Sequence, residues 1–176
     1  MPSNVEIKCK ATNRITQRQK ALELATADSE IILQHDVFFN VAEGKLKLRR
    51  FNLDRGELIY YQRNATTTPA VSQYQRSPTS DPDGLIQILS NSLGVLGEVI
   101  KERELIMCGR TRIHFDSVAG LGDFIELEVV LANQETVAAA TDEARAIMAA
   151  LDIQPEQHIQ GTYLELLMTK PLNQNH

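Results

Sequence analysis

Apolar and polar residues alternate along several short stretches of the chain, a pattern typical of β-strands with one buried face. In residues 4–11 the apolar set is Val5, Ile7 and Cys9, and the polar set is Asn4, Glu6, Lys8 and Lys10. Similar stretches predict seven further strands, near residues 35–41, 45–51, 57–63, 72–76, 97–108, 111–118 and 123–131. Helical spacing and good helix formers predict helices near residues 15–27, 82–93, 135–151 and 162–168.

The order of these elements predicts the fold class. The strands follow one another mostly through short turns, and the helices lie at the edges of the strand runs. We therefore expect an α+β protein built on an antiparallel sheet or barrel. If the sheet closes, one set of side chains faces inward and the other outward. Because the helices need apolar surface to pack against, we expect the apolar set outside and the charged set in the lumen.

The charged set is unusual because basic residues hold the same side of most strands, although the chain has a net charge of −5. Its members are Lys8, Lys10, Lys45, Lys47, Arg49, Arg63, Arg76, Lys101, Arg103 and Arg112. A lumen dense in cations repels itself unless anions fill it. Arginine binds phosphate through two parallel hydrogen bonds, and lysine acts as a point charge. We therefore predict that the lumen binds a chain of phosphates.

Four carboxylates interrupt this basic face and predict a metal site. They are Glu6, Asp116, Glu126 and Glu128. Carboxylate oxygens suit a hard divalent cation that also bridges to phosphate, which makes Mg²⁺ or Mn²⁺ the expected cofactor. Simpler interpretations remain open: a solvated sheet face for any single strand, a structural role for His114, and a surface pair for Glu126 and Glu128.

Composition narrows the class of protein. A length of 176 residues, 43% apolar and 23% charged, suits one globular domain over residues 1–176. The acidic balance argues against a nucleic-acid partner, and an aromatic content of 5% argues against an RNA-binding sheet. We find neither a signal peptide nor an apolar run of about 18 residues, so no membrane partner is expected. Two cysteines without metal-binding spacing favour a reducing, cytoplasmic location.

The sequence resembles the CYTH superfamily, the triphosphate tunnel metalloenzymes that include class IV adenylyl cyclases and thiamine triphosphatases. The resemblance covers nearly the whole chain. It rests on NVEIKCK at the family's ExExK signature, on HDVFFNVAEGKLKLRR, ELIYYQR, VIKERELI and GTYLELL, and most specifically on TRIHFDSVAGLGDFIELEVVL. The branch labelled as class IV adenylyl cyclase is the most similar. One departure is Asn4, which stands where the family has the first acid of its signature.

The resemblance implies an eight-stranded antiparallel β-barrel, a triphosphate tunnel, with helices packed outside. It assigns the ten basic residues to phosphate, the four acids to metal, and catalytic roles to Lys8, Glu126 and Glu128. The expected activity is metal-dependent hydrolysis of an organic or inorganic triphosphate such as tripolyphosphate, ATP or thiamine triphosphate. The alternatives are cyclisation of ATP to cyclic AMP and pyrophosphate, and non-catalytic binding of polyphosphate or nucleotide. The oligomeric state, monomer or homodimer, stays open, as does a lid role for residues 135–151.

Overall fold

Eight antiparallel strands close into a barrel in the structure, a computed structural model that describes residues 3–63, 70–132 and 135–170. The order around the barrel is β1-β5-β4-β3-β2-β6-β7-β8. The strands are β1 (Ser3–Lys10), β2 (Glu30–Phe39), β3 (Lys45–Arg50), β4 (Gly56–Arg63), β5 (Ala70–Thr79), β6 (Val95–Cys108), β7 (Thr111–Val118) and β8 (Gly122–Val130). The predicted α+β class and the antiparallel barrel are thus confirmed.

Four helices surround the barrel, as the sequence predicts: α1 (Arg14–Glu23), α2 (Pro82–Leu93), α3 (Val137–Ala150) and α4 (Tyr163–Thr169). A short 3₁₀ turn, Pro155–Gln157, was not predicted. The start of α2 follows from local chemistry, because Asp81 accepts a hydrogen bond from the Gly84 amide and Pro82 occupies the first turn. None of the helices in the described part of the chain is long and apolar enough to cross a membrane.

Two strands are longer than the alternation predicts. β2 begins at Glu30, and its first residues pair with β6 from Leu105 back to Lys101. The pattern hides this start because Ile31, Ile32 and Leu33 are all apolar and show no alternation, although Ile32 lines the lumen and the other two face outward, with exposed fractions of 58% and 63%. β5 runs over Ala70–Thr79 because both of its neighbours, β1 and β4, supply backbone partners there. Partners from distant strands extend an element beyond its local pattern.

The main apolar core lies outside the barrel, between the sheet and α3. Outward-facing residues of β1, β7 and β8 pack here, and Ala140 and Ala144 of α3 are completely buried against them. Small alanine side chains let the helix approach the sheet closely. The helix for which a lid role was open, α3, therefore packs on the outer wall and does not cover the lumen.

The short helix α4 closes one end of the barrel instead. Lumen-facing Phe38, Val99 and Phe124 form an apolar cluster with Tyr163 and Leu164 of α4. The ring centroids of Phe124 and Tyr163 lie 5.0 Å apart in an edge-to-face arrangement. We call this cluster the closed end. Phe38 of the closed end lies near the last residue of β2, and six residues of a β-strand span about 20 Å. The opening of the barrel beside the first residues of β2 therefore lies far from the closed end, and we call this opening the mouth.

Candidate functional site

The barrel encloses a cavity of about 370 Å³ to which all eight strands contribute side chains. The inward set is the polar set that the sequence predicts. Seven of the predicted basic residues line the cavity: Lys8, Lys47, Arg49, Arg76, Lys101, Arg103 and Arg112. Three of the predicted acids also line it: Glu6, Glu126 and Glu128. Alternation along most strands therefore separates a largely charged lumen from a largely apolar outer wall, with helices packed against parts of that wall.

The other predicted residues lie elsewhere. Lys10 Nζ donates to the Leu121 carbonyl at 2.8 Å and sits 4.3 Å from the Phe124 ring centroid, beside the closed end. Lys45 forms an ion pair with Glu165 of α4. Neither is among the cavity-lining residues. Arg63 ends β4, and its side chain lies outside the part of the chain that the structure describes.

Asp116 is the centre of one buried ion cluster. Its oxygens accept from Arg103 Nε at 2.7 Å, Arg103 Nη2 at 2.6 Å and the Tyr163 hydroxyl at 2.8 Å, and Lys101 Nζ lies 3.5 Å away. Asp116 is fully buried. Burial by itself would raise the pKa of this carboxyl, but the charges of Arg103 and Lys101 outweigh it and hold the pKa well below its ordinary value. Both oxygens are thus already bound by hydrogen-bond donors.

Asp36 is the centre of a second cluster, which the sequence reasoning missed. It accepts from Lys47 Nζ at 2.7 Å and from Arg49 Nε and Nη2, both at 2.8 Å. Asp36 faces Arg49 directly in the β2–β3 register and is 2% exposed. The signal was present, because Asp36 has the same parity as lumen-facing Gln34. It was overlooked because the surrounding HDVFFNV looks like an ordinary apolar strand.

The two lumen lysines beside these clusters are easily deprotonated. Burial, followed by the charge of Arg103, lowers the pKa of Lys101 to about 7. Burial, followed by the charge of Arg49, lowers the pKa of Lys47 to about 8. Desolvation and the neighbouring positive charges thus destabilise the protonated form of both amines. An anion that enters the lumen would stabilise the protonated form again.

Two further lumen carboxylates, Glu126 and Glu128, lie on β8, which pairs with β1. Glu126 has Lys8 Nζ at 3.7 Å and Arg103 Nη2 at 3.6 Å. Burial would raise its pKa, but Lys8 and Arg103 outweigh that effect, so the carboxylate stays ionised. Glu128 accepts from Asn4 Nδ2 at 2.5 Å and from Arg112 Nη1 at 3.2 Å. Glu126 and Glu128 are therefore each held by side chains of other strands.

Four buried polar side-chain atoms lack a hydrogen-bond partner among the described residues: Asn4 Oδ1, Gln34 Oε1, Ser72 Oγ and His114 Nδ1. All four residues line the same cavity. Buried polar atoms without partners are costly and rare in folded proteins. Ordered water or a polar ligand in the lumen would supply the missing partners.

The oxygen donors near β1 fit a divalent cation. Glu6 and Glu128 face each other in the β1–β8 register, and the unpartnered Asn4 Oδ1 lies beside Glu128. Mg²⁺ commonly takes one or two carboxylates and completes its shell with water and phosphate oxygens. Within the described residues, no group of three or more acidic, histidine or cysteine side chains is arranged to hold a metal. The arrangement therefore suits a cation shared between the protein and a phosphate ligand.

Comparison with known proteins places the chain in a family. A family model described as the CYTH domain matches residues 3–163. No curated protein matches the chain.

Several solved structures share the fold. A protein of Pyrococcus horikoshii has a TM-score of 0.82 at 21% identity, with 93% of this chain and 99% of that chain covered. A candidate adenylate cyclase from Vibrio parahaemolyticus has a TM-score of 0.75 at 18% identity, covering 94% and 97%. A candidate adenylyl cyclase from Hippeastrum, described as having a dominant triphosphatase activity, has a TM-score of 0.67 at 13% identity, covering 96% and 95%. At sequence identities this low, the similarity to these structures shows a common fold and no more.

Proposed function

Since the chain belongs to the CYTH family, we propose that it binds a triphosphate-containing small molecule in the barrel and hydrolyses it with a divalent cation. The observation that carries this proposal is the buried positive charge of the lumen. Lys8, Lys101 and Arg103 are only 5%, 6% and 6% exposed in a protein whose net charge is negative. Burying cations is expensive unless anions compensate them, and here Asp116 and Glu126 are shared among these three cations. A triphosphate supplies several such charges at once.

The two acidic clusters give the cations a fixed geometry. Asp36 holds Arg49 through two hydrogen bonds, and Asp116 holds Arg103 in the same way. A guanidinium group has five N–H donors, so each arginine keeps three for phosphate oxygens. Because the forks are fixed before the ligand arrives, little side-chain entropy is lost on binding. The four cations held by Asp36 and Asp116, which we call the phosphate cradle, are therefore preorganised for an extended anion: Lys47, Arg49, Lys101 and Arg103.

We propose that Glu6 and Glu128, with the amide oxygen of Asn4, hold Mg²⁺ or Mn²⁺ at one side of the phosphate chain. When bound, the cation would neutralise charge on the transferring phosphoryl group. Asp116 is a less suitable ligand because Arg103 and Tyr163 already occupy its oxygens. Its role is better explained as an anchor for the cations of the cradle.

Lys8 and Glu126 are the proposed catalytic residues of the hydrolase, together with the cation ligand Glu128. Lys8 is nearly buried, and its ammonium group can stabilise negative charge that develops on the phosphoryl oxygens. Glu126 stays ionised beside it and can accept a hydrogen bond from an attacking water. Since its pKa is low, Glu126 orients the water and is a poor acceptor of a full proton.

Cyclisation of ATP is the second candidate, favoured by the names of the Vibrio and Hippeastrum proteins that share the fold. In that reaction the ribose 3′-hydroxyl attacks the α-phosphate and pyrophosphate leaves. Both reactions use the same phosphate cradle. We place hydrolysis first because the Hippeastrum protein is described as having a dominant triphosphatase activity.

A product assay tests the proposal. The protein is incubated with tripolyphosphate, ATP or thiamine triphosphate, each with Mg²⁺ or Mn²⁺, and orthophosphate, pyrophosphate and cyclic AMP are measured. Orthophosphate supports hydrolysis, whereas pyrophosphate with cyclic AMP supports cyclisation. No product, combined with tight tripolyphosphate binding by calorimetry, leaves a non-catalytic binder. Absence of binding to any of the three would refute the phosphate cradle.

Glu126→Gln separates catalysis from binding in the same assay. We expect turnover to be lost while tripolyphosphate binding survives, because the amide keeps the shape of the side chain but loses its charge. Glu102→Gln is the matched control, since Glu102 lies on the exposed outer side of β6. Unchanged turnover in Glu126→Gln would remove Glu126 from the mechanism.

A further inference from the structure

Tyr163 reaches the lumen from the closed end, as the first residue of α4. It is 6% exposed, and its ring packs edge-to-face on Phe124 of β8. A capping box fixes the backbone at this point, because Thr162 accepts from the Glu165 amide and the Glu165 carboxylate accepts from the Thr162 amide. The docking of α4 therefore sets the position and orientation of the Tyr163 ring.

Two buried ammonium groups lie over this ring. Lys8 Nζ is 4.2 Å and Lys101 Nζ is 4.9 Å from the centroid of Tyr163. At such distances the negative face of an aromatic ring attracts a cation, and the attraction is strongest where water is excluded. Lys8 also donates to the Gly161 carbonyl at 3.0 Å, directly before α4. One short segment, residues 161–163, thus positions lysines from two strands.

A ring suits this place better than a further carboxylate would. A carboxylate beside Lys8 and Lys101 would compensate their charge, but it would also repel a phosphate ligand. An aromatic ring stabilises an ammonium group through its quadrupole and carries no net charge, so the attraction of the lysines for phosphate is kept. The Tyr163 hydroxyl is engaged elsewhere, because it donates to Asp116 Oδ2 at 2.8 Å. Burial raises the pKa of this hydroxyl well above its ordinary value, so it remains a donor.

We propose that Tyr163 is a positioning residue of the phosphate site, whose ring holds the ammonium groups of Lys8 and Lys101 ready for a phosphate chain. Tyr163 itself binds no phosphate in this arrangement. A lysine side chain has several rotatable bonds, and ordering it during binding weakens the affinity for the ligand. The ring orders both side chains before the ligand arrives. The inference rests on the proposed function, because it needs a phosphate chain beside the two lysines.

Binding of tripolyphosphate, measured by calorimetry without metal so that no turnover occurs, tests this role. Tyr163→Phe keeps the ring and should leave the affinity nearly unchanged, because Arg103 still holds Asp116 through two hydrogen bonds. Tyr163→Leu removes the ring and should weaken binding about 10-fold, the size expected when two long side chains must be ordered on binding. Equal weakening by both variants would overturn the inference, as would full affinity in Tyr163→Leu.

A double-mutant cycle separates positioning of the lysines from a general loosening of α4. If the ring acts through Lys8, Tyr163→Leu should cost less affinity in a Lys8→Met background than in the unaltered protein. Leu164→Ala is the matched control, since Leu164 is the next residue of α4, is 5% exposed and packs in the closed end without lining the cavity. Its effect should simply add to that of Lys8→Met. If the effect of Tyr163→Leu is additive as well, Tyr163 only supports the fold and the inference is wrong.

Fluorinated forms of phenylalanine at position 163 keep the test decisive even if Tyr163→Leu does not fold. Each added fluorine withdraws electron density from the face of the ring and leaves its shape almost unchanged. Affinity for tripolyphosphate should therefore fall stepwise from Tyr163→Phe to its monofluoro, difluoro and trifluoro forms. An affinity that does not follow the number of fluorines rejects the positioning role alone. If the unaltered protein does not bind tripolyphosphate, the proposed function itself fails.

Discussion

Replacing Asp36 by asparagine tests how the lumen balances its charge before any ligand arrives. Asp36 is 2% exposed and compensates both Lys47 and Arg49 at 2.7–2.8 Å. Asp36→Asn keeps the size of the side chain but leaves two buried cations without their counter-ion. Breaking a buried ion pair from one side costs about 3–5 kcal/mol of stability. For a chain of this size, we expect the melting temperature to fall by roughly 6–20 °C.

A bound polyanion should recover part of this loss. The Asp36 charge repels phosphate in the cradle, and at about 6 Å with an effective dielectric constant of about 20 that repulsion is about 3 kcal/mol. Removing this repulsion should strengthen phosphate binding in Asp36→Asn, but part of the improvement is lost because Arg49 is no longer held in place. We therefore expect saturating tripolyphosphate to narrow the stability difference between the two proteins by about 1 kcal/mol or more.

Urea unfolding with and without tripolyphosphate measures both effects. Asp83→Asn is the control, because Asp83 pairs with Arg50 on the surface and its side chain is 52% exposed. Loss of an exposed pair should cost less than about 1 kcal/mol. The reasoning is wrong if Asp36→Asn costs no more than Asp83→Asn. A stability difference that tripolyphosphate leaves unchanged would show that Asp36 does not oppose phosphate.

Two further predictions concern the cation site and pH. Asn4→Glu should raise the affinity for Mn²⁺ in the presence of tripolyphosphate, measured by calorimetry, because it adds a charged oxygen beside Glu128; an unchanged affinity would place residue 4 outside the cation site. Burial and Arg103 lower the pKa of Lys101 from 10.5 to about 7, so its penalty on stability is largest below about pH 7 and fades as the pH rises toward 10.5. Phosphate favours the charged amine, so binding at pH 8 should take up protons, and Lys101→Met should reduce the uptake measured in buffers of different ionisation enthalpy. Equal uptake in the two proteins would contradict the low pKa.

The inward parity of most lumen residues was predictable because alternation is a local property. Each charged side chain of KLKLRRF or TRIHFD has a fixed parity relative to its apolar neighbours, and burial of the apolar set under helices forces the other set inward. The same logic failed for Asp36 because one of its two lumen-side neighbours on β2 is apolar. Phe38 shares its parity and belongs to the closed end, so the charge pattern is interrupted there.

The closed end could not be located from the pattern. Both α3 and α4 have an apolar face, and sequence alone left a lid role open for the longer one. Which of the two helices closes the barrel depends on the part of the sheet that its apolar face contacts. Leu164 of α4 packs closely on Gly97, since a Cβ at that position would lie 2.6 Å from Leu164 Cδ1 and displace that side chain. The alanines of α3 instead match the outer wall formed by β1 and β8.

By itself the sequence determined that a barrel of alternating strands would enclose a basic lumen in an acidic protein. This follows because side chains alternate between the two faces of a strand, so a few neighbouring residues are enough to decide which side chains share a face. Only the tertiary structure decided which acid holds which cation. Asp116 and the Tyr163 hydroxyl are 47 residues apart in the chain, and Lys8 and Gly161 are 153 apart. Such pairs depend on the register of distant strands and the docking of α4, which no local pattern contains.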